Sequence, residues 1–359
     1  MRILVMGGTG AIGRPLVNIL AEQGHEVWVT TRKYRKSENT GIRYIQGDAH
    51  DIEFMSGVLQ EKPDAIVDFM VYTTAQFKER ADLYLSSTSQ YFFISSSRVY
   101  SNSDFTPIEE NTIRLLDSEI EDEAYKKTDE YALAKARQED ILHQSEKKNY
   151  VIIRPYITYN NDRLQLGTLE KDLWLPRAIE GKSIVFSRDV AQKITTMTYA
   201  YDVALRLSML IGSKDVLGES IHITTNEYMT WENILEIYLE TIEKETKRRP
   251  KIYWFDTYDE IARIVKNRPQ NKYDRMYNRI FNNAKIEDIC RMQNLEGYMS
   301  IEDGLKKCLS DGLRKQDLYN RPWRVEGNFD RITGEKTKCK DIPGWKNKIR
   351  YFLGYYLKV

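Results

Sequence analysis

The stretch from Ile3 to Gly13 restricts this chain more than any other. Ile3-Leu4-Val5-Met6 is a short apolar burst suited to a buried strand, and it runs straight into Gly7-Gly8-Thr9-Gly10-Ala11-Ile12-Gly13. Glycines at positions 7, 10 and 13 fit a tight strand-to-helix turn. The first takes backbone angles closed to other residues, the second leaves the main chain bare for a pyrophosphate, and the third lets the helix lie close against the strand. The N-terminus of such a helix offers free N–H donors and a partial positive charge to phosphates. The turn therefore predicts a dinucleotide cofactor, with Gly7, Thr9, Gly10, Ala11, Ile12 and Gly13 around it.

The first 155 residues continue in the same alternation. Val27-Trp28-Val29, Ala65-Ile66-Val67, Tyr91-Phe92-Phe93-Ile94 and Val151-Ile152-Ile153 read as buried strands, with helix-like stretches at 15–23, 53–59, 77–85 and 129–144. Strand-helix alternation with short turns predicts an α/β fold, a doubly wound Rossmann-type parallel sheet with helices on both faces. Beyond residue 160 helical patterns dominate, at 173–179, 231–247 and 258–265, while 195–211 returns to the sheet and forms a helix. The expected division is a dinucleotide-binding domain over 1–165, rejoined by 190–212. Residues 166–189 and 213–359 then form a smaller, mostly helical C-terminal substrate region and tail. The tail after Pro322 is basic and aromatic, ending Tyr351-Phe352-Leu353-Gly354-Tyr355-Tyr356. It reads as a helix docked on the body, an oligomer contact or a membrane-surface attachment.

Composition narrows the setting. The 54 basic and 53 acidic residues of the 359 argue against a nucleic-acid partner, which favours a strongly basic face. Cys290, Cys308 and Cys339 are odd in number and have no metal-ligand spacing, so neither a disulfide framework nor a metal is expected and the compartment is reducing and cytoplasmic. Four apolar residues after Met1-Arg2 are too few for a signal peptide, and no apolar run is long enough for a membrane span.

The second burst ends Val29-Thr30-Thr31-Arg32, where NAD-binding domains usually place an acid on the ribose hydroxyls. Thr31 stands there instead, and the Arg32 guanidinium can pair with a 2′-phosphate, which favours NADP(H) over NAD(H). Gly47-Asp48-Ala49 follows the next strand, and Asp48, with Ala49, is placed at the adenine.

Two further motifs carry chemistry. Tyr131 and Lys135 lie one turn apart on a helical segment, so both side chains share a face. A phenol is a poor base near neutrality, and a nearby ammonium favours its phenolate. Phe93-Ile94-Ser95-Ser96-Ser97-Arg98-Val99-Tyr100 delivers three hydroxyls to the carboxyl edge of the sheet, where ligands bind.

Together with Arg154-Pro155, these motifs resemble the extended short-chain dehydrogenase/reductase type, the NAD(P)-dependent nucleotide-sugar epimerases and dehydratases. The resemblance covers residues 1–210 well and the rest loosely. It implies Ser96, Tyr131 and Lys135 as catalytic, with Ser96 and Tyr131 also touching substrate. It further implies Lys135 on the nicotinamide ribose, Pro155 beside the nicotinamide, and Phe69 at the cofactor in Asp68-Phe69-Met70-Val71, where the family often has His-Leu-Ala-Ala. Ser97-Arg98 stands where dehydratases carry acids, which argues against dehydration. Arg177, Arg188 and Arg206 are candidates for substrate phosphates, Arg177 being the one assigned, and Asp202 resembles a structural position. The stretch 109–130 is a lid or a solvated loop. The implied activity is a sugar-nucleotide epimerase that removes and returns hydride at a sugar carbon, in a homodimer. An NADPH-dependent reductase of a sugar nucleotide or sugar phosphate, and a non-catalytic dinucleotide-sensing or RNA-binding relative, are the alternatives.

Overall fold

The structure is a computed structural model and describes residues 1–101, 107–315 and 320–357. Two compact units divide the chain: 1–158 with 196–226 and 280–299, and 159–195 with 227–279 and 300–359.

The first unit is built on seven strands: β1 (Arg2–Met6), β2 (Glu26–Thr31), β3 (Ile42–Gln46), β4 (Ala65–Asp68), β5 (Gln90–Ile94), β6 (Tyr150–Pro155) and β7 (Ser220–Ile223). They form one parallel sheet in the order β7-β6-β5-β4-β1-β2-β3. Its helices are α1 (Gly13–Glu22), α2 (Ile52–Leu59), α3 (Thr74–Ser86), α4 (Tyr131–Gln144), α5 (Ala200–Leu210) and α6 (Ala284–Met292). Along β1 the side chains alternate between faces, and Ile3 to Met6 are all apolar, so the strand is buried on both sides. Ile3 and Val5 pack with Leu16 and Leu20 of α1, Val203 and Leu207 of α5 and Ile286 of α6. Leu4 and Met6 pack with Met55 of α2, Phe77 and Tyr84 of α3 and Leu142 of α4. The sheet is thus doubly wound, as expected from the alternation.

Local signals start the helices. Asp51 caps α2, and Thr73 and Gln76 form a reciprocal capping box on α3. The Glu130 carboxylate accepts the Ala132 N–H at 2.9 Å and fixes the start of α4.

The unit boundaries differ from the sequence expectation. Residues 213–226 and 280–299 belong with the first unit, and 159–165 and 190–195 with the second. In β7 only Ile221 and Ile223 are apolar, alternating with Ser220 and His222, and this short signal gives no buried run to read.

The second unit is mainly helical, with helices Lys171–Glu180, Trp231–Thr246, Ile301–Lys315, Trp323–Thr333 and Gly344–Tyr356, and a parallel pair of short strands, Ile184–Ser187 and Ile252–Phe255. Trp174 stacks on Tyr238 with ring centroids 4.5 Å apart. The last two helices cross at Gly327 and Gly354, where an added Cβ would overlap the Tyr351 and Arg324 carbonyls. Among the described residues no helix is long and apolar enough to cross a membrane.

Candidate active site

The phosphate turn is built by close packing. Gly7 has φ +71°, a conformation that L side chains rarely adopt, and its N–H donates to Thr30 Oγ1 at 3.3 Å. A Cβ on Gly13 would come within 2.7 Å of Gly8 Cα, so α1 can approach β1 only without a side chain there. Gly10 is different. A Cβ there would meet only the Gly7 carbonyl, at 3.6 Å, which is ordinary contact. Internal packing does not demand glycine at this position; a ligand lying against the backbone would. Ile12 precedes α1 without a side-chain cap, so the first N–H groups of the helix lack the usual capping acceptor. These features fit a bound pyrophosphate.

Gly7, Thr9, Thr30, Thr31, Arg32, Asp48, Ala49, His50 and Met70 line one cleft open to solvent. Arg32 is exposed and Ala49 buried. Asp48 is exposed and its Oδ1 accepts the His50 N–H at 3.0 Å. Phe69 lies beside the turn: its N–H bonds the Met6 carbonyl at 3.0 Å, and its Cβ stands 3.3 Å from where a Cβ of Gly7 would be. Ala11 is half-buried, whereas the Ile12 side chain turns into the core and leaves only its backbone to a ligand. Pro155 ends β6, half-buried.

The three serines after β5 have separate fates. Ser95 Oγ donates to Glu139 Oε1 at 2.6 Å, and Ser97 Oγ donates to the Arg154 carbonyl at 2.8 Å. Ser96 Oγ instead accepts the Arg98 N–H at 3.2 Å. Among the described residues it is the one of the three whose hydroxyl proton has no protein acceptor. Behind it, the Arg154 guanidinium holds Glu139 at 2.9 and 2.7 Å and reaches the Tyr100 hydroxyl at 3.2 Å, which in turn bonds His222 Nδ1 at 3.1 Å. Burial lowers the His222 pKa and favours the neutral ring.

Lys135 ties the strand ends together. Its Nζ donates to the Ile94 carbonyl at 2.8 Å and lies 3.5 Å from the Met70 carbonyl, beside the cleft-lining Met70 side chain. Tyr131 is one helical turn away and half-buried, with the Arg98 guanidinium 5.4 Å from its ring centroid. Arg98 is held by Glu130 at 2.8 Å, so the serine and tyrosine motifs are joined through one ion pair. Burial pushes Lys135 down to about 8, against the pull of Asp68 and Glu139.

Asp68 escaped sequence reasoning as a charged group of the site. It ends β4 fully buried, accepting from the Met70 N–H and the Tyr91 hydroxyl, each at 2.8 Å. Burial pushes its carboxyl up to about 6, with those donors and Lys135 opposing. The replacement of the family's His-Leu-Ala-Ala by Asp68-Phe69-Met70-Val71 was the available signal. His50 and Met70 gave none.

Arg177 is a correction. It is 1% exposed in the second unit, bound to Glu326 and Asp330 at 2.9 Å and Glu335 at 2.8 Å. Every one of these partners is a carboxylate of its own unit, so its charge is already balanced by protein and is not available to a substrate phosphate. Arg206 is likewise enclosed, 3.3 Å from the Tyr298 ring centroid, while Arg188 is exposed beside Trp254. Asp202 accepts the Met299 N–H at 2.7 Å, a structural role. The 109–130 stretch is no solvated loop: Leu115, Ile120 and Tyr125 are buried, and Arg114 bonds Asp140 at 2.6 Å and the Ala136 carbonyl at 3.0 Å. Among the described residues no group of three or more His, Cys, Asp or Glu is placed to hold a metal ion.

Residues 3–89 match the sequence model of the NAD dependent epimerase/dehydratase family. A UDP-glucose 4-epimerase of Streptococcus mutans is 39% identical over 79 residues, 20% of this chain and 24% of that protein. The chloroplast stem-loop binding protein of 41 kDa b from Arabidopsis thaliana is 26% identical over 247 residues, 65% of this chain and 61% of that one. The chain thus spans between a quarter and about three fifths of these relatives' lengths. Among solved structures, a UDP-glucuronic acid 4-epimerase of Bacillus cereus in complex with UDP-glucuronic acid and NAD aligns with a TM-score of 0.61 at 18% identity, over 88% of this chain and all of that one. The nucleotide-binding segment thus matches the NAD dependent epimerase/dehydratase family, and the fold is that of the solved UDP-glucuronic acid 4-epimerase.

Proposed function

We propose that the protein is an NAD(P)-dependent sugar-nucleotide epimerase with Tyr131 as its acid and base. The observation that carries this reading is Lys135, whose ammonium bridges the Ile94 and Met70 carbonyls one helical turn from Tyr131. The Gly7–Gly13 turn would hold the pyrophosphate, Arg32, Asp48 and Ala49 the adenosine end, Lys135 the nicotinamide ribose, and Phe69 and Pro155 would border the ring. A dinucleotide held there would supply the hydride acceptor and donor for the sugar carbon. Tyr131 takes the hydroxyl proton as the carbonyl forms and returns it on reduction. Ser96 donates its uncommitted proton to the reacting oxygen and holds it in place. Lys135 favours the phenolate through its charge. Substrate recognition is assigned to the C-terminal region, in a cytoplasmic homodimer. The likeness to proteins named as UDP-glucose and UDP-glucuronic acid 4-epimerases supports a nucleoside diphosphate sugar.

One observation favours a second reading. No acidic residue stands at the end of β2, where Thr31 and Arg32 line the cleft. That supports NADP(H) over NAD(H), and with it a one-way NADPH-dependent reduction. The test is Tyr131→Phe in the full chain against a panel of UDP-, GDP-, CDP- and dTDP-sugars. Turnover is expected to drop by about 10²–10⁴-fold while the thermal shift given by NADPH is kept. Unchanged turnover overturns the acid-base role. Absorbance near 340 nm separates the two reactions: stoichiometric loss of NADPH selects the reductase, and conversion without loss selects the epimerase.

A further inference from the structure

The last helix, Gly344–Tyr356, has two apolar sides, and only one of them is used by the fold. Its inner side carries Gly354 against the Arg324 carbonyl and the buried Tyr351, whose hydroxyl donates to Asp330 at 2.8 Å. Its outer side presents Trp345 at 68% exposure, Ile349 at 49%, Leu353 at 41% and Tyr356 at 65%. At about 100° per residue these four, with the half-buried Phe352, fall in one sector of about 100°. Scattered exposed apolar residues are ordinary, but a continuous aligned stripe of large ones marks an interaction surface.

The charges say what the surface meets. Residues 342–357 contain three basic side chains, Lys346, Lys348 and Arg350, and no acidic one. On the helical wheel Lys346 and Arg350 border the stripe on one side and Lys348 on the other. An aromatic and aliphatic stripe between rows of Lys and Arg is the pattern of a helix lying in the plane of a membrane interface: the apolar side chains enter the headgroup boundary, the aromatics anchor there, and the ammonium and guanidinium groups meet anionic lipid. A second copy of this helix would bring like charges together across a two-fold contact. A nucleic acid would satisfy the lysines and leave Ile349 and Leu353 facing water.

We propose that this helix attaches the protein to anionic membrane surfaces. The attachment is peripheral, and it does not rest on the proposed activity, because binding is read without substrate or cofactor. The experiment is co-sedimentation of the full chain with vesicles of phosphatidylcholine containing 30% phosphatidylglycerol, and with phosphatidylcholine alone. Binding is expected to the anionic vesicles at least tenfold above the neutral ones, and to weaken as salt rises. Each basic residue near such a surface changes partitioning about fivefold, so the double variant Lys346→Glu/Arg350→Glu should lose more than tenfold. Leu353→Glu should lose binding with an unchanged melting temperature, because Leu353 is exposed. Trp345→Phe should bind but lose the blue shift in tryptophan emission that the native protein shows on anionic vesicles. Three results overturn the proposal: equal or absent binding to both vesicles, anionic binding untouched by Leu353→Glu, and a dimer dissolved by Leu353→Glu in a protein that ignores vesicles.

Discussion

Asp68 and Lys135 are charged groups that this fold keeps at a cost. Burial opposes both charges, moving the carboxyl from 3.8 to about 6 and the ammonium from 10.5 to about 8. Between 3.8 and about 6 the folded protein holds a proton on Asp68 that the unfolded chain has released, so this contribution to stability is full below that window and is lost as pH rises through it. For Lys135 the unfolded chain holds the extra proton between about 8 and 10.5, so its contribution returns as pH rises there and is absent at neutral pH. Both terms are unfavourable near neutrality, where a protein would gain by losing them, and strongly perturbed pairs of this kind concentrate at functional sites. Asp68→Asn keeps an acceptor for the Met70 N–H and removes the buried negative charge. Urea unfolding should show the variant gaining up to about 3 kcal/mol on the wild type between pH 4 and 7. Asp68 also supports the charge of Lys135, so in the variant the ammonium titrates below about 8. If that charge sustains the Tyr131 phenolate, activity lost above about pH 8 in the wild type should be lost at lower pH in the variant. A pH–rate profile with an unmoved alkaline limb would separate Lys135 from catalysis. The same two residues show where reading the chain one motif at a time stops. Tyr131, Lys135 and Ser96 each sit in a local pattern, but the state of Asp68 depends on Tyr91 and Lys135, which only the folded sheet brings to it.

At the level of elements, the turn between β1 and α1 separates two reasons for glycine. Gly13 is required by the helix-strand contact, because a methyl would meet Gly8 backbone atoms at 2.7–2.8 Å. Gly10 has room for a methyl, its nearest neighbour being a carbonyl at 3.6 Å. Gly13→Ala should therefore lower the melting temperature by several degrees, the effect of an overpacked core position costing about 1–3 kcal/mol. Gly10→Ala should melt like the wild type without ligand and lose most of the stabilisation that NADPH gives it, because its methyl occupies the space against which a pyrophosphate would lie. Differential scanning fluorimetry with and without NADPH reads both. Equal destabilisation of the ligand-free proteins would remove the distinction. This turn was legible because its whole logic lies within Ile3 to Gly13. The strands β1, β2, β4, β5 and β6 were legible for a related reason: buried on both faces, they carry uninterrupted apolar runs. β7 is the edge strand beside β6 and follows a different rule, with Ser220 and His222 alternating with isoleucines. His222 is buried by pairing with Tyr100, a residue far away in sequence. The same holds for α6, which reaches the sheet core through Ile286, Cys290 and the half-buried Ile289.

For the molecule as a whole, near-equal numbers of acids and bases describe a sum and conceal an arrangement. In each unit part of the charge is folded inward: Arg154 with Glu139 in the first, Arg177 and Lys182 with Glu326 and Asp330 in the second. Burial would raise the Asp330 carboxyl, but the Lys182 ammonium and the Thr337 and Tyr351 hydroxyls outweigh it and hold it below the ordinary carboxylate range. Such clusters are unreadable in a sequence, because a basic residue that will be enclosed by carboxylates looks the same as one that will face a phosphate. Arg177 makes the difference measurable. Removing one member of a buried pair leaves the other charged and unsolvated and costs about 3–5 kcal/mol. Lys182 stays bound to Glu326 and Asp330 when Arg177 is truncated, at 2.8 and 2.9 Å, which places Arg177→Ala toward the low end of that range. Arg177→Lys should recover only part of the loss, because an ammonium cannot span the three carboxylates that the planar guanidinium engages. Urea unfolding should therefore shift to lower denaturant for both variants, while the Michaelis constant for whichever sugar nucleotide proves active stays near the wild-type value in the protein that remains folded. A substrate-binding arginine would give the opposite pair of results, with stability intact and the Michaelis constant raised tenfold or more, and that outcome would return Arg177 to the site from which its ion pairs exclude it.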